Sequence, residues 1–375
     1  MVGIVQEQHP DRTRLFMQWK EMDWPILVDP LNLLGLEVVP VTLLIDEHGI
    51  VRFRGELEHL DDFLTTSYED PSPAPTEAVR PPNLDTLREA PPTPDSLRRY
   101  AEALVLWGGP DGLDPAIEAF QRALRLDPEH GPTHFRLGVA HRLRYDGANR
   151  QTKDFHQAVS HWGTALALEP NQYIWRRRIQ QYGPRLMKPY PFYDWVESAR
   201  KEILQRGEEP VALPVEPQGA EIAQPAKAFE AASEGASPDP EGRIRRDERG
   251  FVLLEQTAVP SLLEAGETAR VHLVFRPRSE IRAHWNNEAE DLHLWLDPPS
   301  GWQVDQRSLR VPNPPELVSD EDRRLEVEVR SPKDFQGVAK VPGYALYYVC
   351  EDVKGTCLYR RQDFSIELRS NISSD

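Results

Sequence analysis

The chain reads as a multidomain α+β protein: a short mixed α/β piece, then a helical repeat region, then a C-terminal β-sandwich. Three observations predict this. Apolar residues change period along the chain, from mixed strand and helix runs before residue 70, to helical spacing between about 96 and 205, to alternation after about 246. A block of thirteen residues recurs without gaps 42 positions later. The 35 prolines are about twice ordinary usage, and they gather in two stretches, 71–95 and 206–245, that predict connectors between the pieces.

Composition narrows the function classes. With a net charge of −17, long-range electrostatics repel nucleic acid and anionic lipid, so neither is expected as a partner. No run of about 18 apolar residues occurs, so no helical membrane span is expected. The opening "MVGIVQEQHPDRTRLF" lacks the basic head and apolar core of a secretory signal. Taken from Met1 the chain is expected in the cytoplasm; a natural start further upstream would instead allow a periplasmic or other extracytoplasmic location.

Residues 1–70 predict the order β-α-β-β-α. "VGIVQEQ" is a buried strand, and "DRTRLFMQWKEM" a helix with Leu15, Phe16 and Trp19 on one side. "VTLLIDEHGIVRFRG" is two strands, and "LEHLDDFLTT" the last helix. Glu47, His48 and Gly49 supply the tight turn, Gly49 at its φ > 0 position. "VGIVQEQHP" followed by "WPILVDPLNLLGLEVVPVTLLIDEHGIVRFRG" is similar to the second half of a thioredoxin-like redoxin of the peroxiredoxin or TlpA type. The resemblance implies that Pro40, directly before a strand, is a cis-proline adjacent to a redox active site. The first strand and helix of such a domain, which carry its active-site cysteines, have no counterpart here. A shortened gene model, or one cut at a selenocysteine codon read as a stop, is the expected reason. A sheet lacking that strand is expected to leave an open edge.

Residues 71–95 predict an extended, semi-rigid connector, after which Asp95 or Thr93 caps a helix starting near Ser96. "AIEAFQRALRLDP" and "AVSHWGTALALEP" then align so that Ala116, Phe120, Ala123 and Pro128 recur as Ala158, Trp162, Ala165 and Pro170. Small residues around an aromatic let neighbouring helices approach, and the proline ends each helix. This pattern, with Leu137 and Gly138 between the copies, resembles the tetratricopeptide repeat, with a loop insertion around "YDGANRQT". In "NQYIWRRRIQQYG", Arg176, Arg177 and Arg178 are candidate peptide-binding residues that would grip carboxylates. The competing reading makes the nearby Tyr and Trp residues an end cap and leaves the arginines solvated or stacked on rings.

Residues 206–245 have no apolar period and predict a flexible linker. From 246 to 370, "GFVLLEQ", "ARVHLVF", "DLHLWLD", "RLEVEVR", "GYALYYVC" and "DFSIELR" are short alternating runs with no helix between. They predict an immunoglobulin-like β-sandwich. Cys350 and Cys357, the chain's two cysteines, flank the turn "EDVKGT" of its last hairpin, close enough across paired strands to meet the distance a disulfide needs. A loop this short yields only about 2–3 kcal/mol of entropic stabilisation. Residues 245–369, with "YYVC" and "GTCLY", resemble the amino-terminal periplasmic domain of the disulfide transporter DsbD, with the cysteine spacing one residue longer than expected of it. The resemblance implies that Cys350 and Cys357 are the catalytic redox pair and that Tyr347, Tyr348 and Tyr359 shield it. A structural disulfide and two free thiols remain the alternatives.

Among the histidines, His130 of the pair His130 and His134 lies in a turn, the five-residue spacing of His156 and His161 does not align one helical face, and no acidic or thiol partner is in register, so no zinc site is expected. "HWNN" at 284–287 reads as a sandwich loop that makes polar contacts or, the preferred reading, packs Trp285, and "NIS" at 371 matches a glycosylation tripeptide. The reading is a thiol-disulfide redox protein that needs no cofactor. It would exchange electrons through its C-terminal dithiol with a thioredoxin-like protein partner or an upstream redoxin site. The competing reading is a noncatalytic interaction scaffold whose helical repeats bind a peptide and whose disulfide is structural.

Overall fold

The computed structural model describes residues 1–55, 57–69, 81–185, 193–217, 219–222, 229, 236–351 and 355–370. It is a mixed α and β chain ending in antiparallel sheets. The first elements are β1 (Gly3–Val5), α1 (Pro10–Trp19), β2 (Ile26–Val28), β3 (Leu43–Ile45), β4 (Val51–Arg54) and α2 (Leu60–Thr65). Strand β2 was not expected: it is three apolar residues hemmed by Pro25 and Asp29, too short to show a period, and it pairs in parallel with β1. β3 and β4 form the expected hairpin, with Gly49 at φ 80°. The Asp46 carboxylate ties that turn by accepting from the amides of His48 and Ile50 and from Arg52. The two pairs are separate two-stranded sheets, and Ile4, Leu27, Leu43, Ile45, Val51 and Phe53 stand exposed on them.

The connector expected over 71–95 is partly helical. Residues 71–80 lie outside the described residues, but α3 (Leu84–Glu89) follows, because Asn83 accepts from the amides of Asp85 and Thr86 and nucleates a turn. Thr93 and Ser96 then make a reciprocal cap for α4 (Pro94–Trp107).

Next come α5 (Leu113–Leu126), α6 (Gly131–Asp146), α7 (Asp154–Leu168), α8 (Tyr173–Tyr182) and α9 (Val196–Gln205). From α4 to α8 each helix packs on the next. The repeated positions do what their residue types dictate: Ala116, Phe120 and Ala123 on α5, and Ala158, Trp162 and Ala165 on α7, have no solvent exposure. Gly138 is required by close approach, since a Cβ there would sit 2.5 Å from the Trp162 indole and 2.9 Å from the Ala158 carbonyl oxygen.

The C-terminal strands are β5 (Val252–Val259), β6 (Thr268–Pro277), β7 (Ala283–Asn286), β8 (Leu292–Leu296), β9 (Gln303–Val304), β10 (Ser308–Val311), β11 (Val318–Ser319), β12 (Arg323–Arg330), β13 (Val338–Glu351) and β14 (Cys357–Arg369). One sheet runs β5-β6-β12-β9. The other runs β10-β8-β13-β7-β11, with β14 along the remaining edge of β13. Their inward residues, among them Phe251, Leu273, Phe275, Val327, Trp285, Leu294, Tyr347 and Ile366, form one buried core. Trp285 packs there fully buried, as expected, although "HWNN" is a strand rather than a loop.

The segment expected to be a flexible linker is held down wherever it is described. Val211 and Leu213 pack with Leu15 and Ile203. Glu221 accepts a 2.7 Å bond from the buried Arg12 guanidinium and another from Gln181. Further on, Asp239 receives Arg361, and Ser237 meets the Tyr344 hydroxyl. Burial forces these pairings, because an unpaired ion inside costs several kcal/mol. The three pieces are also joined directly. Leu31 and Val259 both belong to the core of the helical unit. Arg150 bridges to Asp322 at 2.6 Å and to Glu255 at 2.8 Å, and the His272 ring hydrogen-bonds the Tyr182 carbonyl at 2.8 Å.

An alanine placed at a helix-interior glycine usually stabilises by up to about 1 kcal/mol. Gly138→Ala should do the reverse, lowering the unfolding free energy by about 1–3 kcal/mol through overpacking against Trp162. Urea unfolding measures it, and unchanged or raised stability would contradict this packing.

Candidate functional site

β13 and β14 pair continuously from Val338↔Arg369 to Cys350↔Cys357. Strand geometry sends alternate residues to opposite faces. Ala345, Tyr347 and Val349 enter the core, while Tyr344, Leu346, Tyr348 and Cys350 take the outer face, each opposite its β14 partner Asp363, Arg361, Tyr359 or Cys357. The Glu351 amide points to the Thr356 carbonyl, 3.4 Å away. The Cys350–Cys357 position is therefore of the non-hydrogen-bonded kind, in which facing side chains come closest. The two sulfurs are bonded, and the Cα atoms lie 3.9 Å apart.

The two cysteines differ in access. Cys350 is 2% exposed, whereas Cys357 is exposed. Two pairs along the ladder, and so on the same face, Tyr348 and Tyr359 stack with ring centroids 4.4 Å apart and planes 19° from parallel. The Tyr348 hydroxyl donates to Glu290, and that bond, with burial adding, pushes the phenol up to about 12. The same bond holds the Glu290 carboxyl below its ordinary range. Burial raises the Tyr359 phenol. Tyr347 is on the other face, where its hydroxyl donates to Asp247 at 2.9 Å. It supports the sheet from inside and does not cover the disulfide.

On the opposite edge of β13, β7 places His284 directly beside Cys350. His284 was not singled out from the sequence; only the register reveals it, since it lies 66 residues away in the chain. Lys354 lies outside the described residues. Arg361 is engaged by Asp239 and Asp363 and stacks over the Tyr344 ring, and Arg360 donates to the Tyr359 carbonyl. Neither arginine is directed at a sulfur by these contacts.

The remaining predicted residues are elsewhere. The Val39–Pro40 bond is cis and Pro40 is exposed ahead of β3. Among the described residues no hydrogen bond, ring contact or core cluster joins Pro40 to the cysteine pair. The three arginines of α8 diverge. Arg178 is buried and donates to the Gln6 carbonyl at 3.1 Å and to the Gln8 side chain, tying α8 to the segment that follows β1. Arg176 is exposed and donates to the Pro170 carbonyl, and Arg177 lies over Tyr173 and meets Gln180. They do not converge on one carboxylate site, because consecutive helical positions point about 100° apart.

No family model matches the chain, and no curated protein matches it. Among solved structures, one titled for AvmM, which catalyses macrocyclization in alchivemycin A biosynthesis, covers 35% of this chain and 97% of its own, at 14% identity and a TM-score of 0.20. A likeness at that level bears on neither fold nor function.

Replacing Glu290 with Gln removes the anion that opposes loss of the Tyr348 proton. The Tyr348 midpoint should then fall from about 12 toward 10, followed by NMR of ring-labelled tyrosine. An unmoved midpoint would contradict the Tyr348–Glu290 bond.

Proposed function

We propose that this protein is a thiol-disulfide exchange protein whose redox pair is Cys350 and Cys357 and whose partner carries a thioredoxin-like dithiol. The observation that carries the reading is the asymmetry of the pair: a disulfide on the outer sheet face, closed between a buried cysteine and an exposed one. Exchange needs in-line access to one sulfur and a leaving thiolate that stays near enough to close the bond again. Cys357 supplies the first and Cys350 the second.

The steps follow from that division. A partner thiolate attacks Sγ of Cys357, forming a mixed disulfide and releasing the electron pair to Cys350 as a thiolate. The partner's second thiolate then attacks its own sulfur in the mixed disulfide and releases Cys357 as a thiolate. The partner leaves oxidised, and this chain has gained two electrons and, once both thiolates are protonated, two protons. Water at the open end supplies both protons, and His284 is the ladder partner of Cys350 on β7. The stacked Tyr348 and Tyr359 offer an apolar surface against which a partner's active-site loop can seat.

The finer domain assignments belong to the same proposal: a partial thioredoxin-like unit, a tetratricopeptide-like helical unit and a DsbD-like sandwich. The 42-residue repeat of buried small and aromatic residues supports the second, and the late hairpin with its cysteine pair supports the third.

The test separates the two sulfurs. Cys350→Ser leaves Cys357 exposed and should form a mixed disulfide with glutathione disulfide at least about tenfold faster than Cys357→Ser, whose remaining thiol is buried. Mass spectrometry of quenched time points gives both rates. Equal or reversed rates would overturn the assigned roles. If the wild-type disulfide resists a reduced thioredoxin while the fold is intact, a structural disulfide in an interaction scaffold is the correct reading.

A further inference from the structure

A cavity of about 210 Å³ lies away from the disulfide, between the outer face of β6 and β12, the aromatic side of α6–α8 and the 214–221 segment. Its wall carries Arg142, only 4% exposed and framed by the rings of Tyr145, Phe155 and Tyr182 at 4.4–5.0 Å. Arg142 Nε donates to Asp146 at 2.9 Å. Its two Nη groups have no hydrogen-bond partner among the described residues. A buried guanidinium that keeps four of its five N–H donors free is costly unless something in the cavity accepts from them.

The other charges lining the space are already engaged. Glu326 accepts from Arg270 and His272, Glu221 from Arg12 and Gln181, and Glu216 from Arg200. Arg324, exposed at the mouth, shares Asp322 with Arg150 and Arg276. What remains unmet is a planar pair of N–H donors beside aromatic and aliphatic surface, including Phe155 and Val274. A carboxylate matches such a fork with two parallel hydrogen bonds. A dry cavity of roughly 150 Å³ holds one benzene ring, so the space here fits an acid with one ring or a short branched chain.

We propose that this cavity binds a small monocarboxylate with an apolar group, its carboxylate on Arg142 and its apolar part against Phe155 and Val274. This site is independent of the exchange reaction proposed for the cysteines.

Titration calorimetry of the full chain with benzoate tests it, with benzyl alcohol and inorganic phosphate as controls. Benzoate should bind one to one with a Kd of about 1 mM or tighter, which is modest for so few atoms. Benzyl alcohol and phosphate should each bind at least about tenfold more weakly, since each lacks one half of the recognition. Arg142→Gln and Val274→Phe, the second filling the apolar end while keeping the guanidinium, should each weaken benzoate about tenfold or more. The second decides the matter if the first fails to fold. No saturable benzoate binding up to about 10 mM, equal binding of either control, or full affinity in a folded variant would overturn the proposal and leave a water-filled space.

Discussion

The register of β13 on β14 is the constraint on which the candidate chemistry depends. Twelve residue pairs run in step before the cysteines meet. What holds the step is burial: Val341, Ala345, Tyr347 and Val349 on one strand, and Ile366 and Leu368 on the other, all face the core. A slip of one residue would turn Ile366 and Leu368 out to water, at about 1.5–3 kcal/mol each, and set Cys350 opposite Thr356 or Leu358. The apolar core thus positions two sulfurs that it does not itself contain. Because the disulfide adds only about 2–3 kcal/mol, its opening is not expected to release the ladder.

The two outer faces of the sandwich have different fates. The β5-β6-β12-β9 sheet gives its outer face to the helical unit, through Val259, the His272–Tyr182 bond and the Arg150 bridges. The carboxylate cavity lies in that junction. The other sheet keeps part of its outer face open, and there the cysteines, the stacked tyrosines and His284 lie side by side. In the middle of that face the 237–244 segment covers Trp295, Tyr344 and Leu346, which separates the cysteine end from the exposed residues around Val338 and Arg369.

Much of this was legible in local pattern. Alternation in "GYALYYVC" predicts which residues face in, the 42-residue repeat predicts six fully buried positions on two helices, and Gly49 predicts the hairpin turn. What was not legible depends on partners distant in sequence. Glu221 and Arg12 are 209 residues apart, and Asp239 and Arg361 are 122 apart, so no window around 206–245 could reveal that the segment is anchored. Arg178 looks like its two neighbours in the sequence and differs only in facing the segment that follows β1. The neighbours of Cys350 and the unequal exposure of the two cysteines required the register of three strands.

The most direct measurement is a redox titration of the intact chain: equilibration with graded dithiol and disulfide buffers, alkylation, and thiol counting by mass spectrometry, with circular dichroism recorded on the same samples. Both thiols should appear together in one two-electron transition while the sheet signal is unchanged. Thiols that become available only as that signal is lost would contradict it.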